Sequence, residues 1–282
     1  MEIILEAFLD SIKILPFLFL VYLFLEYLER NTENKIYKSL ETAGKFGPVI
    51  GGALGCFPQC GFSVVAANLY SRRIITLGTL LAVFISTSDE AIPILLSNPN
   101  EMGTVLKVLG IKVIIAIVAG FIIDFFIKRK LKTAREKEHE TLFHHVACDC
   151  CSCNENIFKS AAMHSMKIFL YIFIATLALN VIIFFIGEEN LGFILMNNSI
   201  FQPALAGLIG LIPNCAASVV LTEMYIQGSI SIASLIAGLC TGAGVGLLVL
   251  FKINKDMSEN IKILLLLYLI SSLVGVTLQF IL

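Results

Sequence analysis

Six uncharged or nearly uncharged apolar runs dominate the chain: roughly Ile14–Leu25, Ile74–Leu96, Val113–Ile127, Ile168–Ile186, Ile230–Phe251 and Ile263–Leu282. A helix crossing a bilayer needs about 20 mostly apolar residues, because every backbone polar group must be satisfied within the segment once water is gone. The shorter runs reach that length with their amphipathic flanks. Composition agrees, since 57% of the 282 residues are hydrophobic and only 15% charged. A water-soluble domain carries about 25% charged residues. The expected fold class is therefore an all-α polytopic membrane protein. A soluble enzyme, a nucleic-acid binder and a disordered tail are excluded, and neither catalysis nor a resident cofactor is expected.

Two further apolar stretches, 46–70 and 201–225, are broken near their middles by Gly and Pro, in GCFPQCGFS and GLIPNCAAS. They read as re-entrant hairpins or broken helices. Shifting the chain by 155 residues aligns them without a gap, and ten of the 25 pairs are identical: Phe46/Phe201, Pro48/Pro203, Gly52/Gly207, Gly55/Gly210, Pro58/Pro213, Cys60/Cys215, Ser63/Ser218, Val64/Val219, Val65/Val220 and Tyr70/Tyr225. Composition alone does not put Pro, Cys and Tyr in register, so an internal duplication is expected.

Basic residues orient the segments, because Lys and Arg are retained on the cytoplasmic side. They cluster at Arg30 to Lys45, at Arg72 and Arg73, from Lys128 to Lys137, and at Lys252, Lys255 and Lys262, while Asn98–Gly103, Gly187–Ser199 and Gln227–Ser229 carry none. On that count the first hairpin opens to the cytoplasm and the second to the outside. This predicts two inverted repeats, each of three spans plus one hairpin: 1–128, with its hairpin at 46–70, and 161–282, with its hairpin at 201–225. The basic, Cys/His-rich segment 129–160 joins them on the inside. Both termini then lie outside, in a multi-pass protein of the cytoplasmic membrane. The first span is expected to be retained, since the residues before it (Glu2, Glu6 and Asp10 against Lys13) are net acidic, unlike a secretion signal.

In a secondary transporter, interrupted segments at matching positions of two repeats mark the substrate site near the midplane. The candidate substrate-binding residues are Pro58, Gln59, Cys60 and Ser63 at the first tip, and Pro213, Asn214, Cys215 and Ser218 at the second. Thiolates suit soft metals, whereas amide and hydroxyl oxygens suit harder ions or oxyanions. The bland alternative is that small residues let helices approach closely and that buried Cys acts as a small hydrophobe. Ser88, Asp89 and Glu90, in STSDEAIP, put two acids inside an apolar span, the usual mark of a cavity, a coupling ion or a partner. The same pair lying high enough to meet outer-face water is the alternative. Glu223 is a second embedded acid or an exposed flank. Asp124, one turn from Lys128, is expected to snorkel or pair there.

The connecting segment contains His144, His145, Cys148, Cys150, Cys151 and Cys153 in HHVACDCCSC. In a reducing compartment these stay thiols and form a candidate metal-binding tract, with an incidental or lipidated linker as the alternative. No phosphate-binding GxxxxGK[ST] loop occurs, so transport would be driven by an ion gradient, with H+ the expected coupling ion, or by a partner.

With GCFPQCGFS, STSDEAIPIL, the Cys/His loop and IPNCAASVVLTE in view, nearly the whole chain resembles a bacterial and archaeal family of heavy-metal exporters, known both as ten-helix arsenic efflux proteins and as manganese transporters. The resemblance implies an export permease, and its motif residues fall on Pro58, Gln59, Cys60, Ser88, Asp89, Glu90, Pro213, Asn214 and Cys215. It leaves three functions open: export of a thiophilic metal or arsenite-type metalloid, transport of a hard divalent cation through Asp89 and Glu90, or a metal-responsive channel or sensor. The expected partners are the metal or metalloid substrate, a coupling ion and the lipid bilayer.

Overall fold

The computed structural model describes residues 46–56, 60–88, 91–97, 102–134 and 201–281, together with isolated helical positions in 16–23 and 163–177. These residues form helices only, with no strand among them. They comprise α1 (Gly47–Gly55), α2 (Cys60–Ser71), α3 (Leu77–Ser86), α4 (Ala91–Ser97), α5 (Met102–Ala134), α6 (Gln202–Gly210), α7 (Cys215–Ile226), α8 (Ile232–Thr241), α9 (Val245–Ile253) and α10 (Met257–Ile281). Four segments are long and apolar enough to cross a membrane: Leu77–Ser97, Met102–Phe126, Ile232–Ile253 and Met257–Ile281. The chain is therefore a polytopic helical membrane protein, as its apolar runs require.

The spacing of 155 extends far beyond the two Pro-containing stretches. Adding it to the first residues of α1, α2, α3 and α5 (47, 60, 77 and 102) gives the first residues of α6, α7, α8 and α10 (202, 215, 232 and 257). The local chemistry repeats as well. Thr76 caps α3 by accepting from the Thr79 N–H, and Ser231 caps α8 by accepting from the Ser234 N–H. Pro48 and Pro203 each stand in the first turn of their helices, where a missing N–H costs nothing. Arg73, at φ 59°, and Gly228, at φ 75°, make the same left-handed turn after α2 and α7.

Packing repeats in the same way. α1 packs on α3 and α5, and α6 on α8 and α10; α3 packs along α5, and α8 along α10. Contacts between the halves are reciprocal, α2 against α9 and α7 against α4, with α3 touching α8 at the centre. A Cβ added to Gly120 would stand 2.7 Å from Pro48 Cβ, and one added to Gly275 would stand 2.8 Å from Pro203 Cβ, so both contacts are closed by a missing side chain.

Burial sorts the segments into an inner and an outer layer. The most apolar windows of Leu77–Ser97 and Ile232–Ile253 are 75% and 83% buried, against 33% and 28% for Met102–Phe126 and Met257–Ile281. The outer helices expose Leu106, Ile114, Phe125, Leu269 and Leu273 among others, a face that only lipid accommodates at this extent.

The expectation of three uninterrupted spans per half needs correction. Within 74–96 helix α3 stops at Ser86 and α4 starts at Ala91, and within 230–251 helix α8 stops at Thr241 and α9 starts at Val245. Pro93 has no N–H to give to the carbonyl of residue 89, so α4 can begin only just before it. The second break is made by Gly242 and Gly244, the latter at φ 52° and ψ −143°, a conformation open to glycine. Each half thus contains two discontinuous segments rather than one. The 46–70 and 201–225 stretches are indeed broken, as α1 with α2 and α6 with α7. The first and fourth apolar runs lie almost wholly outside the described residues, although Phe19 packs on the core.

Candidate functional site

Helices α1, α3, α6 and α8 have nine or ten residues each. At 1.5 Å per residue that is about 14–15 Å, half of the roughly 30 Å hydrocarbon layer. Their ends therefore fall deep in the protein, where free backbone groups are tolerated only against other protein or a cavity. A small cavity of about 20 Å3, room for one water-sized group, lies where the ends of α3, α6 and α8 meet the start of α7. Thr87 and Ser88 line it from the break after α3, Asn214, Cys215 and Ser218 from the start of α7, and Gly242 and Gly244 from the break after α8.

The structure thus joins two motifs that lie far apart in the sequence, Ser88 of STSDEAIP and the Asn214–Cys215 pair of IPNC. Asn214 is buried and extended (φ −143°, ψ 147°) as the cap residue of α7, yet its side chain does not cap the helix. Its carbonyl does so, accepting from the Ala217 N–H at 3.3 Å. Cys215, the first residue of α7, is half-buried, and Ser218 donates back to its carbonyl at 2.7 Å. One cysteine, one asparagine and three hydroxyl residues, Thr87, Ser88 and Ser218, therefore line one small space.

The remaining candidates divide clearly. Ser63 is fully buried on α2, where Gly246 of α9 admits it so closely that an added Cβ would sit 2.6 Å from Ser63 Cβ. Pro213 is half-buried in the turn before Asn214. Glu223 is exposed, two turns beyond Cys215, and does not line the cavity. Cys60 opens α2, but its side chain lies outside the described residues, as do Pro58, Gln59, Asp89, Glu90 and the candidate metal-binding residues His144, His145, Cys148, Cys150, Cys151 and Cys153. Among the described residues no three His, Cys, Asp or Glu side chains cluster as a metal site.

Two charged groups behave differently from what local spacing suggests. Asp124 does not turn out toward its neighbour Lys128: it is buried and accepts from Thr76 Oγ1 at 2.6 Å and from the Gly78 N–H at 2.9 Å, holding the start of α3. Its counterpart Gln279 accepts from Ser231 Oγ at 2.5 Å, at the start of α8. Lys112, which the search for uncharged runs left just outside the third span, is fully buried inside α5. Its Nζ donates to Thr87 O and Ser88 Oγ, both at 2.5 Å, and to Leu239 O at 2.9 Å. The missed signal was a lysine ten residues into an apolar helix, where only internal acceptors can hold it.

At one end of the molecule, Arg73 makes a two-pronged pair with Glu259, at 2.7 and 2.8 Å, and Tyr70 donates to the same carboxylate at 2.6 Å. The turns carrying Arg72 and Lys255 therefore lie at one end. At the equivalent place in the other half, Tyr225 meets Thr104 at 3.4 Å, with no charge.

No curated protein and no solved structure gives a significant match to the chain. The model of the family described as "Putative, 10TM heavy-metal exporter" matches residues 1–182 and 145–258, most of the sequence. The chain belongs to this family of membrane heavy-metal exporters, a transporter family and not an enzyme family.

Proposed function

We propose that this protein exports a thiophilic metal ion or trivalent metalloid from the cytoplasm by ion-coupled alternating access, with its binding site at the cavity between the broken helices. The observation that carries this reading is that Cys215, Ser88, Asn214 and Ser218 line one small cavity at a junction contributed by both halves. A soft ligand beside neutral oxygens binds a thiophilic species without holding it too tightly for release.

The reciprocal packing and the offset of 155 support two repeats of opposite orientation, with alternating access as a rocking of one against the other. The gathering of Arg73 and Lys255 at one end, with turns free of Lys and Arg assigned to the other, supports a cytoplasmic and an outer face, with both termini outside. Cys60 would complete the thiol pair with Cys215, and Asp89 and Glu90, next to Ser88, would couple the step to protons or bind the cation. The 144–153 loop would collect the metal on the cytoplasmic side. A second reading, a hard divalent cation such as Mn(II), is favoured by the excess of oxygen over sulfur around the cavity. In it, Asp89, Glu90, Gln59 and Asn214 matter and the cysteines do not.

Growth of exporter-deficient cells in arsenite, cadmium, zinc and manganese separates these readings. Wild type is expected to confer resistance to a thiophilic species, and Cys60→Ser/Cys215→Ser to abolish it. Manganese resistance lost only in Asp89→Asn establishes the hard-cation reading. Unchanged sensitivity to every metal rejects export and leaves a channel or sensor.

A further inference from the structure

Lys112 lies ten residues into α5, about 15 Å along the axis and half the hydrocarbon thickness. An ammonium has three N–H donors, and its acceptors include three oxygens: Thr87 O, Ser88 Oγ and Leu239 O. Two of these are main-chain carbonyls at the C-terminal ends of half-helices, Thr87 just past α3 and Leu239 in the last turn of α8. Helix ends of this kind carry carbonyls without a helical partner and the negative end of the dipole. Two of them facing one point from different halves make a site for a small cation. In the second half the residue equivalent to Lys112 is Leu267, also fully buried. Among the described residues, the repeat position is therefore cationic in one half and apolar in the other.

We propose that the Lys112 ammonium is a tethered cation that fills a monovalent-cation site between the broken ends of α3 and α8, so that the protein needs no soluble Na+ or K+ there. Lys112→Ala vacates stem and head group together and leaves the carbonyls facing a hole that a soluble primary alkylammonium fits. Tetramethylammonium carries the same charge but no N–H donor. Lys112→Met fills the hole without charge.

Thermal unfolding of purified protein in detergent reads this directly. Wild type is expected to unfold at the same temperature in sodium, potassium and choline chloride. Lys112→Ala is expected to unfold several degrees lower, to regain at least half of the loss in n-butylammonium chloride, and to gain nothing from tetramethylammonium. Lys112→Met is expected to be weakened and to respond to neither. A Met variant as stable as wild type, equal rescue by tetramethylammonium, or stabilisation of wild type by Na+ or K+ over choline overturns the proposal. The first and last of these apply even where the alanine variant does not fold. In everted membrane vesicles, metal uptake by wild type should be the same in Na+, K+ and choline media. This transport arm rests on the exporter reading: amine-specific rescue of stability with no metal uptake in any variant rejects that reading and leaves the Lys112 site standing.

Discussion

Residues 155 apart occupy equivalent places in the two halves, and at several of those places one residue is charged and the other is neutral, among them Lys112 against Leu267, Asp124 against Gln279, Arg73 against Gly228, and Glu259 against Thr104. The first two pairs lie inside the protein and the last two at its ends. The scaffold therefore does not depend on the charges, since Gln279 receives the hydroxyl of Ser231 much as Asp124 receives that of Thr76. What the charges add is asymmetry. Lys112 gives the central junction a cation from one side only, and Arg73 with Glu259 makes an ion pair where the equivalent turn of the other half has Gly228 and Thr104.

If the scaffold is shared, the largest effects should be equal in the two halves. Gly120→Ala and Gly275→Ala each drive a methyl into a proline of the neighbouring helix. Each is expected to lower stability by about 1–3 kcal/mol, the usual range for overpacking. Thermal unfolding in detergent measures both, and a silent substitution at either position breaks the equivalence.

The buried polar pair should differ in degree. Asp124→Leu removes the shared acceptor of the Thr76 hydroxyl and the Gly78 N–H. A cost of about 1–3 kcal/mol is expected, from donors left unpaired at depth. Gln279→Leu removes one neutral bond from Ser231, for about 0.5–1.5 kcal/mol. An equal cost for both would show that the charge of Asp124 contributes nothing at this position.

The rim should matter least. Arg73→Gly converts the charged turn to the sequence of its neutral counterpart. It loses an ion pair that is more than half exposed on the arginine side, worth about 0–1 kcal/mol, and relieves a left-handed non-glycine residue, worth about 1 kcal/mol. Stability should stay within about 0.5 kcal/mol. A larger loss means that the Tyr70–Arg73–Glu259 network is a structural tie between halves and more than a label of orientation.

Much of this architecture is legible in the sequence where the signal is local or periodic. Pro58/Pro213 and Cys60/Cys215 in register announce the duplication, and the Gly-Pro breaks announce the discontinuous stretches 46–70 and 201–225. The second set of breaks is harder to see. Residues 242–244 read Gly-Ala-Gly inside an apolar run, and small residues are common in continuous membrane helices. Lys112 escapes for a different reason: its acceptors lie 24, 25 and 127 residues away, so nothing near it in the chain says that it is buried. Asp124 misleads by having Lys128 four residues on, the spacing of a helical pair, when its partners stand 46 and 48 residues back. The cavity joins Ser88 to Cys215 across 127 positions, a proximity produced only by the packing of α7 on α4 and α8.

Uptake of a thiophilic metal by everted membrane vesicles, compared between wild type and Cys215→Ser, tests the central claim that the junction of the broken helices is the transport site. Ser keeps the size and hydrogen bonding of the residue and removes only the soft ligand. Uptake is expected to fall at least tenfold in Cys215→Ser while the unfolding temperature stays that of wild type. Unchanged uptake in that variant, in vesicles where wild type transports the metal, would contradict the assignment.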